Sequence, residues 1–311
     1  MAILGEPIIL GGGNGIPVEI IVETLPGASV LCINGATVLE KTANADGKAV
    51  FEVKKEGLWT IQASLDGGTV ETEIFVEHKI EEELTFVDPI LANNTWEKIS
   101  AVARAGKASQ YWNVGDTKPF VCNGTTYKAQ IIGFDHDDVT DSASYGRSKA
   151  GITFQFKELT PTEYIFDSSS LLGKNFTSSA MYKTHLPDLQ NKLQSELLAV
   201  LVGTNKLVAK SSSDTVTMTN QKFTLPAAIE IVGAISSLAA KDKLEGTQYA
   251  FYSAGNSYLK KKVGSNSFST WWTRTLSSMN VRAISTSSSV SSSITNAGSS
   301  NALSMAPIFF V

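Results

Sequence analysis

The chain has 311 residues, of which 42% are hydrophobic and 18% are charged, and its formal net charge is −4. This length is enough for two domains with separate cores, and the charged share is below the roughly 25% of an ordinary soluble domain, so the surface is predicted to be polar but sparsely charged. The arginines are scattered and the single basic run at 260–262 is short, so the sequence lacks the clustered cations that nucleic-acid binding requires.

Neither export nor membrane insertion is predicted. The amino-terminal segment lacks a basic region followed by an apolar core and a cleavage pattern, and no stretch approaches the ~20 apolar residues of a membrane span. The two cysteines, Cys32 and Cys122, fall in different predicted domains and cannot form a disulfide framework or a thiolate metal site. We therefore expect a protein made in a cytosol, with no membrane partner.

Residues 1–16 are predicted to form an amino-terminal arm. A short apolar piece at 8–10 precedes a glycine-rich run at 11–15, which holds no regular structure without help. Such an arm either docks on a neighbouring subunit or frays as a free terminus. Both interpretations stay open at this point.

Residues 17–79 alternate apolar and polar side chains in short runs, a pattern typical of consecutive β-strands. Turn dipeptides such as Pro26-Gly27, Asn34-Gly35 and Asp46-Gly47 separate the runs. The runs predict strands at 17–24, 28–35, 48–55, 58–65 and 69–78. This spacing predicts a small antiparallel β-sandwich, so the amino-terminal domain is expected to be all-β.

One segment of this domain, DGKAVFEVKKEGLWTIQAS, resembles immunoglobulin-like and carboxypeptidase-regulatory-like modules. The resemblance places four side chains in the core of the sandwich, namely Phe51, Val53, Trp59 and Ile61. It implies a spacer or docking module, and it names no ligand.

Residues 80–110 are predicted to be a linker that contains one short helix. Asn94 or Thr95 can cap its amino terminus, and Gly106 can end it. Its apolar face would carry Trp96, Ile99, Val102 and Ala103. We expect this face to pack against the second domain.

Residues 111–311 are predicted to form an α+β domain. Asn123-Gly124 between two apolar runs, at 118–122 and 126–134, indicates a β-hairpin, and GITFQFKELT at 151–160 indicates another strand. Two helices are predicted at 187–202 and 225–242, each opened by a proline. The Ser-rich stretch 265–304 is predicted to be ordered, because the apolar run at 306–311 is typical of a buried terminal strand.

Five short motifs in this part of the chain carry a second resemblance. They are Trp112–Asp116 (WNVGD), Gly133–Asp137 (GFDHD), Leu186-Pro187, Trp271–Thr275 (WWTRT) and Ala306–Val311 (APIFFV). In this order they resemble a family of uncharacterised domains from gut phages and bacteria, related to the C-type-lectin-like and sulfatase-modifying-factor fold. The resemblance covers about two-thirds of the chain and implies a C-type-lectin-like scaffold used in host attachment. The arginine that usually precedes the closing proline is missing before Pro307.

The WWTR sequence is the candidate ligand site. Trp271 or Trp272 could stack on a sugar ring, and Arg274 could donate hydrogen bonds to hydroxyl groups. Neighbouring residues on a strand point to opposite faces, so only one indole can line a given surface. Since aromatic side chains mostly serve packing, a core role is favoured over ligand binding, with Arg274 lying over an indole.

An acidic loop is the candidate metal site. Asp135, Asp137, Asp138 and Asp141 offer the oxygen ligands that Ca²⁺ accepts, although their spacing matches no EF-hand. The alternative, in which these carboxylates cap turns or pair with Arg147, is favoured. No other cofactor is expected.

Catalysis is not expected. The histidines at 78, 136 and 185 lie in no recognised catalytic pattern. Formylglycine-generating enzymes, which share the resembled fold, need cysteine chemistry, whereas Cys122 has no partner in this domain. A pair of glycosidase carboxylates stays open as a possibility, because the chain contains many acidic residues.

Together these patterns predict a structural protein of the phage virion, either a capsid decoration, a head fibre or a tail-associated adhesin. It would assemble in the host cytoplasm as a homo-oligomer, contact other virion proteins through the arm and sandwich, and contact host-surface glycans. The alternatives are a glycan-binding module of a cellular surface protein and an enzyme that degrades cell-wall polysaccharide.

Overall fold

The computed structural model describes residues 4, 8–10, 18–53, 57–76, 87–171, 174–209, 214–277, 280–287 and 294–311. Strands occupy more of the chain than helices, so the protein is mostly β, with several antiparallel sheets. The chain divides into two compact units, residues 1–86 and residues 87–311. Each unit is described by itself.

The first unit consists of short antiparallel strands. Its strands are β1 (Ile8–Leu10), β2 (Val18–Glu23), β3 (Ser29–Asn34), β4 (Thr37–Thr42), β5 (Lys48–Val53), β6 (Gly57–Leu65) and β7 (Gly68–Val76). They form two sheets, with the orders β1-β2-β5 and β4-β3-β6-β7. Alternate side chains of both sheets enter one core. The four side chains predicted for it, Phe51, Val53, Trp59 and Ile61, are at most 2% exposed, so this prediction is confirmed.

Two strands of the first unit were not predicted. The apolar piece of the predicted arm forms β1, which pairs with β2 of the same chain. Strand β4 exposes nearly all its side chains, and only Leu39 packs against the core. Its hydrogen bonds to β3, rather than an apolar face, make it a strand. The glycine run at 11–15 lies outside the described residues, so docking of the arm stays a prediction.

The second unit contains short strands around a few short helices. Its described strands are β8 (Thr117–Cys122), β9 (Thr125–Phe134), β10 (Ile152–Phe156), β11 (Tyr164–Ile165), β12 (Thr204–Ala209), β13 (Thr215–Gln221), β14 (Phe223–Thr224), β15 (Trp271–Ser277), β16 (Asn280–Ile284), β17 (Ile294–Gly298), β18 (Ala302–Leu303) and β19 (Ile308–Phe310). Its α-helices are α1 (Trp96–Arg104), α2 (Ala108–Tyr111), α3 (Ser142–Tyr145), α4 (Leu186–Gln190), α5 (Ser195–Val200), α6 (Ala228–Val232) and α7 (Ala250–Ser253). A π-helix spans Met181–His185, and 3₁₀ turns span Leu91–Asn93, Phe176–Ser178 and Asp242–Glu245.

A five-stranded antiparallel sheet, in the order β14-β19-β10-β9-β8, forms the centre of the second unit. The terminal strand β19 lies inside it, and its three side chains are fully buried, as the apolar run predicted. Phe309 of β19 stacks on Phe154 of β10 with ring centroids 5.3 Å apart. The hairpin β8–β9 turns at Asn123 (φ 50°) and Gly124 (φ 72°), the left-handed pair that an Asn-Gly turn favours.

The predicted helix near residue 95 is confirmed as α1. The Thr95 side chain accepts a hydrogen bond from the Lys98 amide at 3.1 Å and so caps the helix. Ile99 and Val102 are fully buried. Gly106 adopts φ 68° just after the helix. The helix belongs to the second unit.

The single helix predicted at 187–202 is wrong, because the structure contains two short helices, α4 and α5, with a break between them. At the break the chain bonds to the edge of β8. The Gln194 amide donates to the Val121 carbonyl at 3.0 Å, and the Asn123 amide donates to the Lys192 carbonyl at 3.0 Å. These long-range hydrogen bonds replace helical ones, so tertiary pairing overrides local propensity.

The helix predicted at 225–242 shortens to α6, which ends at Gly233 with φ 72°. Downstream, the Ser-rich stretch is ordered over its described residues. It forms the sheet β15-β16-β17 and supplies β18, which pairs with β11, while residues 278–279 and 288–293 lie outside the described ranges. Strand β15 carries the WWTRT motif into the core.

Candidate functional site

Both tryptophans of the WWTR sequence are fully buried on β15. The Trp271 indole donates to the Tyr258 carbonyl at 3.3 Å, and the Trp272 indole donates to the Tyr164 carbonyl at 2.7 Å. Phe166 packs edge-on against Trp272 with ring centroids 5.3 Å apart. Both faces of β15 are therefore covered by protein, and neither indole presents a surface to solvent.

Arg274 is also fully buried, and it pairs with a carboxylate rather than with an indole. Its guanidinium binds Glu230 through two hydrogen bonds of 2.7 and 2.9 Å. It also donates to the carbonyls of Leu225 (3.0 Å) and Glu245 (2.9 Å). Burial alone would lower the pKa of Arg274, but the Glu230 charge outweighs burial and raises it. A bidentate pair of this kind is the stronger form of ion pair.

The network continues from Glu230 to the acidic loop. Lys206 Nζ lies 2.5 Å from Glu230 Oε1 and 2.5 Å from Asp137 Oδ1, and the Tyr249 hydroxyl lies 3.1 Å from the same nitrogen. Two carboxylates and two cations thus alternate, and their formal charges cancel. Burial alone would raise the pKa of Glu230, but the charges of Arg274 and Lys206 outweigh it and lower the pKa to about 2.

A third carboxyl group, that of Glu245, borders this network. It accepts hydrogen bonds from the Thr275 hydroxyl and from the Ala209 amide, the latter at 3.0 Å. Burial raises the pKa of Glu245 to about 7, although the Arg274 charge acts in the opposite direction. Glu230 and Glu245 are therefore two buried carboxyl groups with widely separated pKa values.

The four carboxylates of the acidic loop do not converge on one point. Its carboxylates bind different groups: Arg147 for Asp135 (2.9 Å), Lys206 for Asp137 (2.5 Å), Lys149 for Asp138 (2.6 Å) and the Ser144 amide for Asp141 (3.1 Å). Hydrogen bonds from Ser144 lower the pKa of Asp141. Within the described ranges, no three side chains of His, Cys, Asp or Glu are grouped so that they could hold a metal ion.

The histidines are likewise separate. The His136 ring lies 4.2 Å from the Tyr249 ring, and its Nε2 is 3.4 Å from the Thr247 hydroxyl. The His185 ring lies 5.3 Å from that of Tyr164. His78 lies outside the described residues.

A cavity of about 300 Å³ lies in the second unit between α6, α7 and the segment that follows α7. Its lining comes from positions 231–232, 248, 252 and 255–259, and these side chains are all uncharged. Sequence reasoning missed this site. The only signal was local: residues 248–259 combine three tyrosines with Gly255, Asn256 and Ser257, the residue types of a turn.

Comparisons with protein-family models, with curated proteins and with solved structures found no match. In the described part of the chain, no helix has the length and apolar character needed to span a membrane.

Proposed function

We propose that this chain is a non-enzymatic structural protein of a phage virion that displays a rigid, sparsely charged surface for attachment to host glycans. Its first unit would be an immunoglobulin-like sandwich that contacts other virion proteins. Its second unit would be a C-type-lectin-like domain, and the protein would assemble in the host cytoplasm as a homo-oligomer. The capsid and the tail are both compatible locations.

The strand order supports an immunoglobulin-like first unit. In immunoglobulin-like sandwiches the second strand pairs with the fifth, and the third pairs with the sixth in the opposite sheet. Here β2 pairs with β5, and β3 pairs with β6. Strand β4 departs from the constant-type arrangement, because it lies beside β3 rather than β5.

The observation that carries the proposal is that each of the five resembled motifs contributes buried side chains to one unit. Trp112, Asp137, Leu186 and the side chains of β19 are at most 3% exposed. Two motifs far apart in the sequence join the same ion network, since Asp137 binds Lys206, Lys206 binds Glu230, and Glu230 binds Arg274. Residues used in this way specify a scaffold rather than a reaction.

The two glutamates of the network also favour a structural role. Carboxyl groups with separated pKa values occur in enzymes as acid and base. Glu230 and Glu245, however, are at most 1% exposed, and both bind protein groups. Proton transfer to a substrate needs hydrogen-bond reach to that substrate, and these carboxyl groups lie within the protein interior.

Electron microscopy of purified phage particles that contain this polypeptide tests the proposal. We expect ordered copies at symmetry-related positions on the particle surface. Particles assembled without the polypeptide should bind isolated host envelopes more weakly than complete particles. Absence of the polypeptide from purified particles would refute a virion role, and equal envelope binding by the two preparations would refute the attachment role.

A further inference from the structure

A lysine amine and an aspartate carboxyl group are in direct contact inside the second unit. Lys206 Nζ, on β12, lies 2.5 Å from Asp137 Oδ1, on the loop that follows β9. The two side chains are 5% and 2% exposed, so bulk water solvates neither charge. The rings of Tyr249 and Phe310 lie 5.4 and 5.8 Å from the same nitrogen. The pair is therefore enclosed by protein, with two aromatic rings beside it.

These surroundings favour the uncharged forms of both groups more than water does. The desolvation of two buried charges can exceed their mutual attraction. Transfer of one proton from the ammonium to the carboxylate converts the ion pair into an amine and a carboxylic acid, which a site of low polarity tolerates better than two charges. An amine is a nucleophile, and a carboxylic acid is the group that it attacks to form an amide.

Two hydroxyl groups bind the Asp137 carboxyl group. The Thr153 hydroxyl donates to Oδ2 at 2.5 Å, and the Tyr249 hydroxyl lies 3.2 Å from both carboxyl oxygens. Hydrogen-bond donors at these oxygens stabilise the negative charge that develops there when an amine attacks the carboxyl carbon. The site therefore stabilises the tetrahedral intermediate of amide formation.

Glu230 orients the lysine nitrogen without reacting itself. Its Oε1 lies 2.5 Å from Lys206 Nζ, and its negative charge stabilises the positive charge that the nitrogen carries after attack. The two hydrogen bonds from Arg274 hold this carboxylate in its ionised form. Loss of an oxygen from Glu230 would leave the Arg274 charge unpaired in the interior, whereas reaction at Asp137 keeps that pair intact.

We propose that Lys206 and Asp137 form an intramolecular amide bond after the second unit has folded. Lys206 Nζ bonds to Asp137 Cγ, one Cγ–O bond breaks, and that oxygen leaves as water with two of the three ammonium protons. One positive and one negative charge disappear together, and no oxidant, reductant or other reactant is consumed. The reaction happens once in each chain, so it is a self-modification and not turnover of a substrate.

The bond would join β12 to the loop after β9, which are 69 positions apart at the two bonded residues. Like a disulfide, such a link restricts the unfolded chain and so stabilises the folded one. This consequence does not depend on a role in the virion.

The test is mass spectrometry of the full chain, first folded and then denatured. We expect a mass lower than that of the sequence by one water molecule. Trypsin should not cut after an acylated Lys206, so digestion should yield a branched peptide that joins residues 129–147 to residues 193–210. Fragmentation of that peptide should locate the bond between Lys206 and Asp137.

Two lysine variants provide the comparison. Lys206→Met removes the reacting amine and should restore the full sequence mass. Lys149→Met is the matched control, because Lys149 lies 2.6 Å from Asp138 in an exposed pair and should leave the loss of water unchanged. If Lys206→Met does not fold, as judged by circular dichroism, the branched peptide of the wild type decides, since it identifies both bonded residues.

Three results would overturn the proposal. The first is a folded wild type with the full sequence mass. The second is a loss of water that persists in Lys206→Met, as dehydration at an Asp-Gly dipeptide would give. The third is a branched peptide that joins Lys206 to Glu230, or Lys149 to Asp138. The particle experiment tests the virion role separately, so either result can stand without the other.

Discussion

At the scale of single residues, the stability of the fold depends on the buried ion pair between Arg274 and Glu230. Both side chains are fully buried, so neither charge is solvated by water. Removal of one partner leaves the other charge buried and poorly compensated. Arg274→Met should therefore lower the free energy of unfolding by about 3–5 kcal/mol, measured by urea denaturation.

The exposed pair Lys149–Asp138 provides a matched control. Its side chains are 40% and 66% exposed. Because solvent and salt screen such a pair, Lys149→Met should cost less than about 1 kcal/mol. Equal losses in the two variants would contradict a stabilising role of the buried network.

A second prediction at this scale concerns Lys260 and the pH dependence of the free energy of unfolding. Burial lowers the pKa of Lys260 to about 7 from its ordinary value of 10.5, and its ammonium group donates to the carbonyls of Phe156 (3.0 Å) and Lys157 (3.3 Å). Between these two pH values the unfolded chain binds a proton that the folded chain does not. The contribution of Lys260 to the free energy of unfolding therefore increases with pH between these two values, by at most about 1.4 kcal/mol per pH unit.

Lys260→Met should remove this increase of the free energy of unfolding with pH. Lys261→Met should retain the increase, because Lys261 is exposed. The measurement is the free energy of unfolding of the wild type and both variants from about pH 6 to about pH 10. Parallel pH profiles for all three proteins would mean that Lys260 is solvated in the folded state.

At the scale of elements, Gly151, the residue just before β10, lies against the carboxyl-terminal end of α1. A Cβ added to Gly151 would lie 2.7 Å from Ala103 Cα, which is closer than carbon atoms pack. Gly151→Ala should therefore push the strand and helix apart and lower the free energy of unfolding by about 1–3 kcal/mol. Thermal unfolding followed by circular dichroism measures this loss.

Gly298→Ala on β17 is the control for this effect. The nearest atom to its added Cβ is Asn301 Oδ1 at 3.6 Å, an ordinary contact. The substitution should change the melting temperature little. A comparable decrease in both variants would show that backbone freedom, rather than close approach, explains the cost at Gly151.

The elements differ in how well the sequence predicts them. The hairpin at Asn123-Gly124 and the cap at Thr95 depend on residues a few positions apart, and both are predicted correctly. The break at 191–194 depends on hydrogen bonds to the edge of β8, more than sixty positions away, as in the Val121–Gln194 contact with a separation of 73. Strand β4 shows no apolar alternation, because it is defined by its pairing with β3.

At the scale of the whole molecule, each unit has a core of its own. A fragment of residues 87–311 should therefore fold without the first unit, since it retains the central sheet and the ion network. Near-ultraviolet circular dichroism should show fixed tryptophan signals from Trp112, Trp271 and Trp272, which are buried in this unit. A fragment without such signals, or one that unfolds without cooperativity, would mean that the second unit depends on the first.

Local order in this chain follows largely from neighbouring residues: apolar alternation and turn dipeptides predict β2, β3, β5, β6 and β7 of the first unit, and the apolar terminus predicts β19. Only the tertiary structure determines which distant side chains come into contact. The pairing of Asp137, Lys206, Glu230 and Arg274 joins segments up to 137 positions apart, and residue type alone did not indicate that Arg274 would bind Glu230 rather than an indole. The cavity forms because the segment 248–259 packs beside Ile231 and Val232. The sequence does not show which side chains line this cavity, because they come from separate segments that meet only in the folded chain.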